Sequence, residues 1–147
     1  MRLTTKMRYG TRALVDLALH YGQGPLSSRE ISIHQEVSLK YLEHLLSLLR
    51  RARLIRTVRG AQGGHMLARP PDQINLRQVF DVLEGSNGLV ECTSQPGLCS
   101  RYDACVTQEV WARMFQACMQ VLEETTLADL AQRAREKQAE MNPMYYI

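Results

Sequence analysis

The chain has 147 residues, 18 Lys and Arg against 15 Asp and Glu, and four cysteines. A disulfide scaffold is usually a short secreted domain dense in cysteine, which this composition does not match, and no segment approaches the ~18 uninterrupted apolar residues of a membrane span. The N-terminus, Met1 to Arg8, is basic but leads into no continuous apolar stretch and shows no small-residue cleavage site, so a reduced cytoplasm is the expected compartment. Charge is unevenly spread. Residues 1–69 hold twelve Lys and Arg against four Asp and Glu, net +8, and residues 70–147 hold six against eleven, net −5. That asymmetry suggests one part that meets a polyanion and one that does not.

In chain order, Thr4 or Thr5 can cap a first helix carrying Leu14, Leu17 and Ala18 at helical spacing and ended by Gly22 to Pro25. Ser27 followed three residues later by Glu30 is a capping box for a short second helix that runs through Ile31 and stops before Val37. Ser38 then caps a third helix, Leu39 to about Arg53, whose apolar stripe is Leu39, Leu42, Leu45, Leu46 and Leu49. Opposite that stripe lie Lys40, Tyr41, Glu43, His44 and Ser47. Two helices joined by a short turn, the second polar on one side, form the helix-turn-helix pattern. Leu54 to Arg59 then alternates toward a strand, Gly60-Ala61-Gln62-Gly63-Gly64 is a glycine-rich turn, and His65 to Arg69 returns as a second strand ended by Pro70-Pro71. The reading is a β-hairpin wing with Arg56, Arg59 and Arg69 on or beside it. Its tip can approach a phosphate backbone and place guanidinium groups in a narrow minor groove.

Asn75 with Gln78 forms a further capping box, opening a helix through Val79, Val82 and Leu83 that ends at Gly85. The stretch from Glu91 to Cys105 contains Pro96 and Gly97 and reads as a loop; it gathers Cys92, Cys99 and Cys105 into one small region. Thiolates favour zinc, cuprous copper or iron–sulfur clusters. The intervals of six and then five residues are wider than the tight pairs of structural zinc sites, so a cluster is the leading expectation over zinc. The plainer alternatives are inert buried thiols or a disulfide pair, which would leave one thiol over. A long helix follows, Thr107 to Glu124, with Val110, Met114, Ala117, Val121 and Leu122 on one face, expected to pack on a two-fold partner because helix-turn-helix proteins usually read paired half-sites. A short helix through Leu127, Leu130 and Ala134 and a loosely patterned tail, Gln138 to Ile147, complete the order. Cys118 reads as a small buried apolar residue. His20, His34, His44 and His65 read as surface or capping residues rather than metal ligands.

Four segments carry a resemblance: Met1-Arg-Leu-Thr, Ser38-Leu-Lys-Tyr-Leu-Glu43, Val58-Arg-Gly…Gly-Gly64, and Cys92…Cys99…Cys105 with Trp111 six residues on. From Met1 to about residue 130 the order of parts resembles the IscR/NsrR-like group of bacterial winged-helix regulators that carry an iron–sulfur cluster. The resemblance implies a homodimer whose cluster, bound near the dimerisation helix, alters how two recognition helices are presented to double-stranded operator DNA. It also implies a fourth ligand, and there the chain departs. The histidine found three residues after the last cysteine in IscR-like members is Gln108 here, and the acidic N-terminal position used in NsrR-like members is Arg8. The interval between Cys92 and Cys99 is also one residue longer than in those regulators. Glu109 and Asp103, then Glu91, or an exogenous molecule are the remaining candidates for the fourth position beside the weak ligand Gln108, and the cluster stays open between 2Fe–2S and 4Fe–4S.

The expected fold is mainly α with a small β-hairpin wing: a winged helix-turn-helix over residues 1–72, a cluster-binding loop and dimerisation helices over 73–137, and a flexible tail over 138–147. Expected DNA contacts are Ser38, Lys40, Tyr41, Glu43, His44, Arg56, Arg59, Gly60, Gly63 and Gly64. The expected function is transcriptional regulation under control of an iron–sulfur cluster, with a zinc-containing or metal-free regulator of the same fold, answering to a protein or small molecule, as the rival. A thiol-dependent enzyme is disfavoured, because no base–nucleophile constellation accompanies the cysteines.

Overall fold

A computed structural model describes residues 2–85 and 88–143. Helix α1 (Thr5–Leu19) opens where the Thr4 side chain accepts from the Met7 amide at 3.3 Å, and it runs through the centre of the molecule with Ala13, Leu14, Leu17 and Ala18 buried. Helix α2 (Ser28–Gln35) carries both halves of the Ser27–Glu30 capping box and closes on Glu36 in the left-handed conformation, φ 53°. Helix α3 (Leu39–Arg51) opens on Ser38, whose hydroxyl accepts from the Tyr41 amide at 3.3 Å. It ends slightly short of the expected Arg53, because Arg53 itself turns left-handed, φ 60°, and steers the chain into the wing. Leu42, Leu45, Leu46 and Leu49 are buried as expected, but Leu39 is 42% exposed. Leu39 occupies the first helical position, beyond the edge of the core that the later turns cover.

Strands β1 (Ile55–Val58) and β2 (Gly64–Leu67) pair antiparallel, Ile55 opposite Leu67 and Val58 opposite Gly64. An isolated hairpin is marginal in water; this one is anchored to the helices by its buried ends, Leu54, Ile55 and Leu67, and by a backbone exchange with Leu26. The Leu26 amide donates to the His65 carbonyl at 2.9 Å, and the His65 amide donates to the Leu26 carbonyl at 2.7 Å. That exchange explains one wing glycine. A Cβ at Gly64 would lie well inside van der Waals distance of the Leu26 carbonyl. Gly64→Ala is therefore expected to destabilise the fold by about 1–3 kcal/mol, as overpacking typically does. Urea unfolding measures the loss, and hydrogen exchange at the Leu26 and His65 amides should rise if the wing has been pushed off its anchor.

Helix α4 (Leu76–Leu83) carries the expected Asn75–Gln78 capping box and lies against α1, where Gly10 leaves room for Leu83. Residues 91–104 are not the plain loop expected. They fold into a one-turn helix, α5 (Glu91–Ser94), and two 3-10 turns, Pro96–Leu98 and Tyr102–Ala104. Pro96 opens the first of these turns, and the Thr93 and Ser94 hydroxyls close α5 by donating to the Val90 and Glu91 carbonyls. Short turns of this kind satisfy backbone groups locally where no long helix can form.

Helix α6 (Val106–Glu124) has two apolar faces rather than the single stripe expected. Met119 is buried, and Phe115, Cys118 and Leu122 pack beside it against the molecule's own core, so Leu122 does not belong with the others. Val106, Val110, Met114 and Val121 form a separate, exposed row. Helix α7 (Leu127–Met141), opened by a Thr126–Asp129 capping box, is longer than the short helix expected and takes in residues 138–141 of the anticipated tail. Beyond Ala134 only Ala139 and the exposed Met141 are apolar, too few to form a stripe, so apolar periodicity could not reveal it; helix-forming residues and the Arg133 pairs to Glu136 and Glu140 carry it instead. The last four tail positions, 144–147, lie outside the described residues. One continuous core joins Leu14, Ile31, Leu46 and Ile55 to Met119, Leu127 and Ala131, crossing the boundary expected at residue 72.

The architecture is thus mainly helical, with a two-stranded antiparallel wing directly after the second helix of a helix-turn-helix. Among the described residues no helix is long and apolar enough to cross a membrane.

Candidate functional site

Helix α3 presents Lys40, Glu43 and His44, all exposed, on one polar side, with Ser38 exposed at its cap. Arg56, Arg59 and Gly60 are exposed on the wing, whereas Gly63 and Gly64 are half-buried where the turn folds back. Gly63 donates its N–H to the Gly60 carbonyl at 3.0 Å and sits against the Val58 carbonyl, where a Cβ could not fit. Tyr41 is placed differently from its neighbours. It is half-buried, its hydroxyl donates to Thr5 Oγ1 at 3.2 Å, and its ring meets Tyr9 edge-on. Arg69, expected on or beside the wing, points instead toward Gln78, 3.5 Å away, with its Nε buried and unpartnered. The structure adds three cations that the sequence reading passed over: Arg50, Arg51 and Arg53, all exposed at the end of α3. Their run at a helix terminus was the available signal. Exposed guanidinium groups of this kind can meet phosphates and displace counterions, whatever the base sequence.

Two histidine arrangements fix the geometry of this surface. His65 on β2 pairs Nε2 with the Ser28 hydroxyl at 2.9 Å and Nδ1 with the Thr57 hydroxyl at 3.2 Å, so it ties the wing to the start of α2. Burial, and then the positive charge of Arg50, hold its pKa below the ordinary 6.5, with Glu43 opposing. Because the folded-state value is depressed, the associated stability is complete above 6.5 and is lost as pH falls from there through the folded value. Thermal unfolding should therefore show a wild-type midpoint that drops on acidification below pH 6.5, and His65→Gln should show a smaller drop over the same interval. Equal drops in the two proteins would remove His65 as the cause. The second arrangement centres on Asp16, 5% exposed on α1. Its carboxylate meets His34 Nδ1 at 2.8 Å and His20 Nδ1 at 3.4 Å and accepts from Gln35 Nε2 at 3.3 Å, fastening α1 to the end of α2. His20 and His34 were expected at the surface or as caps; that Asp16 joins them was not foreseen, since His34 reaches it from a second helix.

Cys92 is half-buried on α5, Cys99 exposed, and Cys105 half-buried at the N-terminal cap of α6; all three, like Cys118, are free thiols. The Thr107 hydroxyl lies 3.2 Å from Cys105 Sγ, and that contact, with backbone N–H groups of Gln108 and Thr107 and the charge of Arg101, lowers the thiol's pKa. Gln108 is occupied by the Tyr102 hydroxyl, to which its Nε2 donates at 3.3 Å, while Glu91, Asp103 and Glu109 are exposed. Soft sulfur donors match an iron–sulfur cluster in kind. They do not match it in arrangement: among the described residues no three Cys, His, Asp or Glu side chains converge into a group that could hold a metal. The segment would have to close to enclose one.

Comparison with known proteins places these features. Residues 3–133 match the family described as Rrf2, iron-dependent transcriptional regulator. The chain is 40% identical over 134 residues to the protein rrf2 of Nitratidesulfovibrio vulgaris, covering 91% of this chain and 89% of that one. Among solved structures it is similar to IscR of T. potens, with TM-score 0.79 and 39% identity over 99% of this chain and 97% of that one. It is similar also to CymR of B. subtilis, described as the global cysteine regulator, with TM-score 0.78 and 37% identity over 90% of this chain and 98% of that one. These relatives are regulators rather than enzymes, and the chain belongs to the Rrf2 family of winged-helix transcriptional regulators.

Proposed function

We propose that this regulator binds double-stranded operator DNA as a homodimer in the cytoplasm, and that the cysteine segment controls the binding, with Cys92, Cys99 and Cys105 holding an iron–sulfur cluster. The observation that carries the proposal is the presence of three free thiols within one short segment joining α4 to α6. The resemblance of that segment to cluster-carrying regulators and the iron dependence in the family's description support it. Such a cluster supplies a centre whose occupancy and oxidation state respond to iron supply, redox poise or nitric oxide. Lys40, Glu43 and His44 read base edges from α3, Ser38 and the wing residues Arg56, Arg59 and Gly60 meet the backbone or minor groove, and Gly63 and Gly64 shape the wing. Residues 1–72 supply this DNA surface, and residues 73–137 supply the cysteine segment and the dimer contacts. The exposed row Val106, Val110, Met114 and Val121 gives a two-fold partner an apolar surface to cover.

A second reading is favoured by one observation, the failure of any three ligand side chains to converge among the described residues. It is a metal-free regulator that senses through thiol chemistry, in keeping with the similarity to a protein described as a cysteine regulator. Anaerobic purification followed by counts of iron, acid-labile sulfide and zinc separates the readings. Iron with matching sulfide and visible absorbance sustains the cluster. A colourless protein free of metal selects the second reading, and one zinc per chain selects a zinc-containing regulator of the same fold.

A further inference from the structure

Three helix ends meet beside the recognition helix. Thr4, which caps α1, donates its backbone N–H to Glu84 Oε1 at 2.9 Å and its hydroxyl to the same oxygen. Glu84 is the C-cap of α4, and the chain passes from it through Gly85, φ 82°, toward the segment that carries Cys92. The adjacent Thr5, the first residue of α1, accepts the Tyr41 hydroxyl at 3.2 Å. Tyr41 stands in the first turn of α3, and its amide is the one that Ser38 caps. Its ring is also held from the side, edge-on to Tyr9 at 6.2 Å between centroids, with the Arg12 guanidinium 5.2 Å from the Tyr9 centroid. Hydrogen bonds and one peptide link thus lead from the exit of α4 to the start of α3.

We propose that Tyr41 is a positioning residue for DNA recognition: the chain of contacts Glu84–Thr4–Thr5–Tyr41 sets how the first turn of α3 is presented and conveys the state of the cysteine segment to it. Its second half rests on the control by that segment proposed above. A hydroxyl that donates to Thr5 cannot also donate to a base, whereas the residues of the next half-turn, Glu43 and His44, point outward from the turn that Tyr41 fixes. A coupling between two sites carried in this way is typically worth about 5–150-fold in affinity.

The test compares Tyr41→Phe, Glu84→Ala, their combination and Glu84→Gln, which keeps an acceptor oxygen. The probes are a duplex selected by the wild-type protein from a random-sequence pool and a scrambled duplex. Each protein is measured metal-free and after anaerobic reconstitution with ferrous iron and sulfide. Tyr41→Phe and Glu84→Ala should each narrow the ratio between the two states by about tenfold. The combination should do no more than either alone, Glu84→Gln should behave as wild type, and affinity for the scrambled duplex should stay constant throughout. A wild-type ratio preserved in either single variant overturns the proposal. A wild-type protein whose affinity is the same in both states overturns control by the segment instead. In that event the metal-free double-mutant cycle decides the positioning role: sub-additive losses on the selected duplex sustain it, and additive losses end it.

Discussion

Cys92→Ala, Cys99→Ala and Cys105→Ala are each expected to reduce iron and acid-labile sulfide to background after anaerobic reconstitution, while Cys118→Ala retains both. The expectation follows from where the thiols sit. The three segment cysteines are partly or fully exposed on short turns and a helix cap, and a cluster deprived of one thiolate would have an iron exposed to water and oxygen. Gln108, Asp103, Glu109 and Glu91 offer only weaker donors nearby, so none can replace a lost sulfur. Cys118 packs with Phe115 and Leu122 beside the core on the face of α6 turned to its own domain, and there it acts as a small apolar side chain. Full cluster occupancy in any of the three segment variants would remove that cysteine from the ligand set. Retention by all three would place the cluster on other ligands and end its assignment to this segment.

How far the sequence disclosed the fold depended on how local the determining physics was. The capping boxes at Ser27–Glu30 and Asn75–Gln78 are complete within four residues, and both helices start where those residues require. The wing was legible for the same reason, from β-branched Ile55, Thr57 and Val58 leading into a glycine-rich turn. What failed to show was decided at longer range or by residues without periodicity. Helix α7 continues past Ala134 on mostly polar residues that leave no apolar stripe, and α6 divides its apolar side chains between its own core and solvent, a division spacing alone does not resolve. The recognition surface followed the same rule. Lys40, Glu43 and His44 emerge where helical spacing puts them, but Tyr41 turns toward Thr5 because α1 lies beside it, and Asp16 joins His20 at the end of its own helix to His34 of α2. For the cysteines, the sequence establishes that three thiols share a segment. It cannot set how tightly that segment closes, because turns opened by Pro96 and capped by Thr93 and Ser94 leave the sulfurs apart.

Glu43 and Arg59 should divide specificity from affinity at the DNA surface. Both are exposed, and neither makes an ion pair among the described residues, so alanine at either position should leave the unfolding midpoint close to wild type. Any change in binding then belongs to the interface. A carboxylate is repelled by phosphates, so Glu43 can benefit binding chiefly by accepting from the cytosine N4 amino group. Glu43→Ala should consequently bind nonspecific duplexes at least as well as wild type while losing about 1–3 kcal/mol of discrimination at one base pair. Arg59 lies at the mouth of the wing turn, beside Gly60, where a guanidinium can reach phosphates or a narrow minor groove but has no base pattern to select. Arg59→Ala should weaken binding on all duplexes alike and reduce the slope of log affinity against log salt by about 0.9 for the phosphate contact removed. Titrations of both variants against a selected and a scrambled duplex at several salt concentrations separate the two behaviours. Unchanged relative affinities across sequences in Glu43→Ala would exclude it as a base reader, and an unchanged salt slope in Arg59→Ala would place Arg59 off the phosphate backbone.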